Sequence, residues 1–227
     1  YIVMVMLLAA SLLAIWAARG ALFQEWLAGN DADSQRAFEA AQLLMQDAAM
    51  DLRGVTASGE PCQIDEKDGA ICRRESSVGF SFDQRELPAM MEFLNSKPTG
   101  CVEGICRKRS GIQDFWLDKK LMLQMTESAV AARYGQYTGA PDNGNPILAK
   151  TSSKEGAWYW IEIMRFDKDK DSENMVEGVA SETIKAPLLF RITAIARGLK
   201  PSTQVVLQSV VALPPITGET VAAPAAP

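Results

Sequence analysis

Four cysteines are the side chains best able to carry chemistry in this 227-residue chain: Cys62, Cys72, Cys101 and Cys106. An even set of four can make two disulfides or supply four thiolates to zinc. The spacings C-x9-C and C-x4-C are unlike the close ligand pairs of zinc ribbons and fingers, so disulfides are the better reading. Three pairings are open. Short loops cost least to close, which favours Cys62–Cys72 and Cys101–Cys106. The chain has no histidine. That removes Ser-His-Asp and Cys-His nucleophiles, and His-ligated zinc or haem. No Gly-rich phosphate loop follows a strand, and no Ser/Lys or paired-acid constellation stands out. No catalytic residue and no cofactor is assigned.

Weaker signals remain. Asp167, Asp169 and Asp171 alternate like the opening of a calcium loop. An EF-hand, however, needs Gly at the sixth place and Glu at the twelfth, where Ser172 and Gly178 stand. Lys168 and Lys170 also offset the acids, and a solvated loop between strands is the stronger reading. Arg107-Lys108-Arg109 is basic but lacks the wide patch and stacking aromatics of a nucleic-acid site. With 23 Lys+Arg against 28 Asp+Glu, the net charge of −5 also argues against a nucleic-acid partner. In Trp158-Tyr159-Trp160, alternate strand residues divide between two faces, so at least one ring is expected to be buried.

The elements that hold these residues begin with an apolar run. Tyr1 to Ala18 carries no charge, has Ser11 as its one clearly polar side chain, and ends at Arg19. As a helix it covers about 27 Å, close to the hydrocarbon thickness of a bilayer. It lacks the basic n-region and short apolar core of a secretory signal. The chain opens on Tyr rather than Met, and removal of an upstream piece is the expectation. No proline occurs from Gly20 to Arg53, and beyond Asn30 the pattern turns amphipathic. Phe38, Ala41, Met45, Ala48 and Leu52 recur at three and four, which places them on one face, with Glu39, Gln46, Asp47 and Asp51 largely elsewhere. Asp33 or Ser34 could cap a restart if the helix loosens at Gly29-Asn30, and Gly54 is a natural stop. The pattern predicts one near-continuous helix of about 50 residues. Residues 1–25 form its membrane half and 26–54 its amphipathic half.

Residues 55–212 read as a globular head. Its middle is turn-rich, with helices expected at Leu87–Leu94 and Phe115–Tyr134. Strands follow at Ala157–Phe166, Leu188–Arg197 and Thr203–Ala212, the last two joined by a five-residue hairpin link. Three antiparallel strands covering the helix give an α+β fold whose inner face buries Phe38, Met45 and Leu52. The Pro/Ala-rich tail, 213–227, is expected to be extended and mobile.

An apolar helix with no leading Met, an amphipathic continuation and a closing antiparallel sheet resembles a type IV pilin or pseudopilin. The sharper resemblance is to PilX-type minor pilins. Leu22-Phe23-Gln24-Glu25-Trp26-Leu27-Ala28-Gly29-Asn30 followed by Arg36-Ala37-Phe38-Glu39-Ala40-Ala41 is similar to their "LEERMAGN...AFQAAE". Phe190-Arg191-Ile192-Thr193-Ala194 and Val205-Val206-Leu207-Gln208-Ser209 are similar to their "YRITA" and "VVLQS". The likeness covers the first 45 or so residues and the closing hairpin, and residues 55–156 match no named pattern.

The resemblance implies a pilin-like fold, peptidase cleavage before Tyr1, and methylation of the Tyr1 amine. It also implies residence in the inner membrane as a single pass, then at the extracellular pilus tip. Val5, Leu8, Leu12, Trp16 and Phe23 would meet partner helices in the filament core. The cysteines would lie in the oxidising periplasm. Implied partners are other minor pilins, the major pilin and a large tip adhesin, and the implied role is to prime pilus assembly. Major pilins usually carry Glu at the fifth mature position, where this chain has Val5. A subunit with nothing above it needs no such acid, which fits the tip and the related GspK class of secretion pseudopilins. The rivals are a type II secretion tip pseudopilin, a single-pass membrane sensor with a periplasmic binding domain and, third, an unrecognised enzyme.

Overall fold

The computed structural model describes residues 1–62, 71–80, 86–111, 113–141, 144–165 and 188–213. One helix, α1 (Ile2–Arg53), runs 52 residues without a break, about 78 Å. Gly54 ends it in the left-handed region (φ 64°, ψ 42°), and its N–H and that of Val55 cap the carbonyls of Asp51 and Met50. The helix does not restart at Gly29-Asn30, and Asp33 caps nothing there. Instead, the hairpin after residue 197 lies against Gly29, with the Lys200 Nζ donating to Asn30 Oδ1 at 2.6 Å.

The rest of the head is α2 (Leu87–Asn95), β1 (Cys101–Val102), β2 (Ile105–Arg107), a 3-10 turn at Phe115–Leu117, α3 (Lys119–Met125), β3 (Ala157–Arg165), β4 (Leu188–Arg197) and β5 (Gln204–Leu213). The three expected strands are present and pair antiparallel. Among the described residues the sheet differs from the expectation in having five strands, in the order β1-β2-β3-β4-β5, with β2 and β3 parallel. The extra hairpin turns on Glu103 (φ 50°) and Gly104 (φ 82°), a pair with the two positive φ values of a type I′ turn. A Cβ on Gly104 would strike Ala132. The expected helix at Phe115–Tyr134 is shorter and split. Asp118 accepts from the Lys120 and Leu121 N–H groups to start α3 afresh, and the Thr126 hydroxyl donates to the Met122 carbonyl where it ends. Beyond it, Ala132 pairs with Tyr159 as a β-bridge.

Strand alternation sorts the core. Tyr159, Ile161, Ile163, Phe190, Ile192 and Ala194 face α1, and on the opposite side Trp158, Trp160 and Ile195 pack with Phe115, Met122 and Met125. All three rings of the Trp-Tyr-Trp run are buried. The buried face of α1 consists of Ala37, Ala40, Ala41, Leu44, Ala48 and Leu52, with Met45 only half-buried beside it. Phe38, expected in the core, is 44% exposed. Ala41, Ala48 and Leu52 are buried as expected, and the buried stripe as a whole is rotated by about an eighth of a turn, away from Phe38 and toward Ala37, Ala40 and Leu44. Small alanines let the sheet approach the helix closely, and a phenylalanine would hold it off.

Truncation should reveal that rotation. Leu44→Ala is expected to cost about 2–5 kcal/mol and Phe38→Ala under about 1 kcal/mol, read by urea unfolding of the full chain in detergent. Equal losses would count against the assignment.

Candidate functional site

Among the described residues, the N-terminal half of α1 is exposed along its whole length. Its most apolar 18-residue window has a mean hydropathy of 2.2 and is not buried at all. The expected contact residues Val5, Leu8, Leu12, Trp16 and Phe23 are 63–81% exposed, and Ile2, Leu13, Ile15 and Leu27 are also open. Exposure is similar all round the cylinder, so no single side serves the head. Burying each such side chain is worth about 1.5–3 kcal/mol, and a continuous apolar surface of this size marks a contact with lipid or with other helices. No carboxylate occurs from Tyr1 to Gln24; the first is Glu25.

The C-terminal half of α1 is held to the head by three buried carboxylates: Asp33, Asp47 and Asp51. Sequence reasoning placed the last two off the buried face. Asp51 accepts two bonds from Arg73, at 2.8 Å from Nε and 2.6 Å from Nη2, and a third from the Tyr159 hydroxyl at 2.8 Å. Arg73 also donates to the Glu103 carbonyl and lies 3.8 Å from the centre of the Tyr137 ring. Burial works against the Arg73 charge, but the hydrogen bonds and charge of Asp51 outweigh it and raise its pKa. The same burial, with the nearby Asp51 charge, pushes the Tyr159 hydroxyl well above the usual range. Asp47 accepts from the Gly135 N–H at 2.8 Å and from the Thr138 hydroxyl. Burial pushes its carboxyl from 3.8 up to about 6, with those two bonds pulling the other way and the Asp51 charge adding to the rise. Asp33 accepts from the Leu199 and Lys200 N–H groups, at 2.8 and 3.0 Å, and so fixes the β4–β5 turn to the helix. The spacing 33, 47, 51 interleaves with Ala37, Leu44 and Ala48 at helical period, and that interleaving was the available signal.

Both favoured cysteine pairings are present. Cys62–Cys72 has a Cα–Cα distance of 5.6 Å, and Cys101–Cys106 joins directly opposed residues of β1 and β2. The first is placed to matter for Arg73. Cys72 and Arg73 both have positive φ, 60° and 56°, which non-glycine residues seldom adopt, and the crosslink sits at that bend. Arg109 of the basic run lies within 4.9 Å of the Phe115 ring centre and gives its N–H to Glu162, which pairs with Arg191 at 2.5 Å. It is thus built into the outer layer. Asp167, Asp169 and Asp171 lie outside the described residues, as does the tail from residue 214. Among the described residues, no group of three His, Cys, Asp or Glu could hold a metal.

An exposed apolar rod carrying a sheet-covered head is the geometry of a subunit that assembles by its helix. Residues 2–43 match the PilX N-terminal family model, and residues 102–213 match the model for the type IV pilus assembly protein PilX C-terminal region. The chain belongs to the PilX family. It is a type IV pilus minor pilin, and the family's members are structural assembly proteins. The C-terminal match begins at Val102, so it takes in β2, α3 and the rest of residues 102–156, a stretch whose sequence carries no pattern named above. No curated protein and no solved structure matches the chain.

Two outcomes are expected of the PilX head. Arg73→Ala strands the Asp51 carboxylate in the core and should cost about 3–5 kcal/mol in chemical denaturation of the full chain. Asp47 binds its proton more tightly folded than unfolded, so its contribution to stability is full below about pH 4 and is lost as pH rises through about 6. Wild type should therefore gain on Asp47→Asn in Tm as pH falls across that window. A difference that does not change with pH would contradict the assignment.

Proposed function

We propose that this PilX-type minor pilin primes pilus assembly and sits in the tip complex, beside other minor pilins, the major pilin below and a large tip adhesin. The observation that carries this reading is the first half of α1, apolar on every side and free of carboxylates before Glu25. In a stack of pilins, an acid near the start of the helix neutralises the terminal amine of the subunit above. A helix without one suits a position with no subunit above it, because an unpaired carboxylate among lipid tails or apolar helices is costly.

The mechanism is mechanical. Lipid tails are as apolar as leucine, so moving the rod from bilayer to helical bundle changes its apolar burial little. Packing between helices and side contacts between heads then decide whether the subunit leaves the membrane. The head supplies order: its disulfide-bearing middle and the tail from residue 213 are the surfaces offered to dissimilar partners. Before assembly the protein is a single-pass inner-membrane subunit, and afterwards it is extracellular.

The tip assignment predicts a penalty for Val5→Glu. Placing an unneutralised acid there should cost about 3 kcal/mol and lower the number of surface pili counted by electron microscopy. Unchanged piliation, with the variant found along sheared shafts, would remove the tip position. Loss of a secretion pseudopilus rather than a pilus on deletion would favour the secretion-system reading.

A further inference from the structure

The base of the head, where α1 emerges, carries a cationic groove. Lys150, Lys154, Arg197 and Lys200 line it together with one acid, Glu155, and it has a volume of about 330 Å³. Four cations against one carboxylate is a local excess of three positive charges in a chain whose net charge is −5. Lys150 pairs with Glu155 within the groove at 3.4 Å. Arg197 spends one N–H on the Lys154 carbonyl, which ties the β4 end to the loop bearing the other lysines. Beside the cations, Leu199 stands 49% exposed at the tip of the β4–β5 turn. An exposed leucine flanked by lysines is the pattern of a surface that meets a lipid interface.

Its height is set by the helix. Asp33 accepts from the Leu199 and Lys200 N–H groups, and the Lys200 ammonium donates to Asn30, so the turn is fastened at residues 30–33 of α1. A Cβ on Gly198 would collide with the Asp33 carboxylate and Thr203, so a larger residue would push the turn away from the helix. The exposed stretch below it, from Ile2 to Leu27, is about 39 Å long, near the 40–45 Å of a bilayer with its headgroup layers. Its uncharged part ends at Ala18; Arg19 is long enough to snorkel upward, and Gln24 and Glu25 fall at headgroup level. A helix seated over that length brings Leu199 and Lys200 to the outer headgroups. Glu25 and Asp31 lie at similar height along α1, and Arg36 above them pairs with Asp33 at 3.9 Å.

We infer that this groove docks the head on the anionic phospholipid headgroups of the membrane before assembly, with the lysines on lipid phosphates and Leu199 dipping between them. The inference rests on the reading that α1 spans the bilayer before assembly.

Hydrogen exchange of the full chain in nanodiscs tests both. In discs of equimolar phosphatidylglycerol and phosphatidylcholine, peptides covering residues 147–157 and 197–203 should exchange about fivefold more slowly than in pure phosphatidylcholine. High salt should erase the difference in wild type. The double variant Lys150→Glu with Lys154→Glu should erase it too, while Lys119→Glu with Lys120→Glu on α3 should leave it intact. Equal exchange in the two lipids, with residues 6–18 protected in both, would overturn the lipid contact and leave the membrane reading standing. An acidic surface of a neighbouring subunit as the true occupant would give that same result, since the discs hold this chain alone. Equal loss from the α3 variant would reduce the effect to bulk charge and overturn it as well. Fast exchange of residues 6–18 in both discs would overturn the membrane reading and the docking together.

Discussion

A single unbroken helix must satisfy two different surroundings, and most of the head follows from that. The first half of α1 offers apolar side chains in every direction, so it needs lipid or sister helices on all sides. The second half has one face to bury and another to keep wet. Since no break separates the halves, any turn or slide of the sheet along α1 moves the head relative to the apolar rod. Assembly therefore depends on a register that is set inside one subunit.

Hydrophobic packing alone sets that register poorly. The buried face of α1 is dominated by alanines, which allow close approach but give few distinct knobs to lock against. The three carboxylates provide the missing specificity. Asp33, Asp47 and Asp51 spread over about 27 Å of helix, and each is met by donors from a different part of the chain: the β4–β5 turn, the Gly135–Thr138 loop, and Arg73 with Tyr159. A slip of one turn would leave Asp33 and one of the other two buried and unpaired at once, since Asp47 and Asp51 stand one turn apart and only one could reach the other's donors. Buried ion pairs contribute little net stability against a hydrophobic replacement, but breaking one is costly. That asymmetry suits a device for fixing position. The Cys62–Cys72 crosslink belongs to it, because it sits at the positive-φ bend that points Arg73 at Asp51.

Much of this was legible in the sequence. The helix ends, the last three strands and both disulfides follow from signals that are local: an apolar run, a terminating glycine, period-two alternation and short loops. What was missed depended on partners far along the chain. Phe38 looked like core because it is large and apolar, whereas Ala37 and Ala40 are buried because the sheet comes close. Asp47 and Asp51 looked like a wet face because their donors, Thr138, Arg73 and Tyr159, are distant in sequence. The β1–β2 hairpin is only five strand residues long, too short for a periodic signal. Its one local mark was Glu103-Gly104 between cysteines that turn out to be opposed. The end of α3 was lost for a similar reason, since Thr126 competes for backbone carbonyls in a way that apolar spacing does not record.

The lipid-facing base and the apolar rod differ in strength, and the difference suits a subunit that has to leave the membrane. A lysine near an anionic surface is worth about 1 kcal/mol, and screening by salt weakens it further. The rod's burial is far larger, but it is nearly the same in lipid and in a bundle of apolar helices. Contacts at the base can thus orient the head, limiting its tilt over the bilayer, without adding much to the work of extraction. Asp33 links the two, because the residue that fastens the basic turn also marks where the rod ends and the head begins. A head held at a defined angle presents its middle to a partner in one orientation, which lowers the entropy lost when that partner docks.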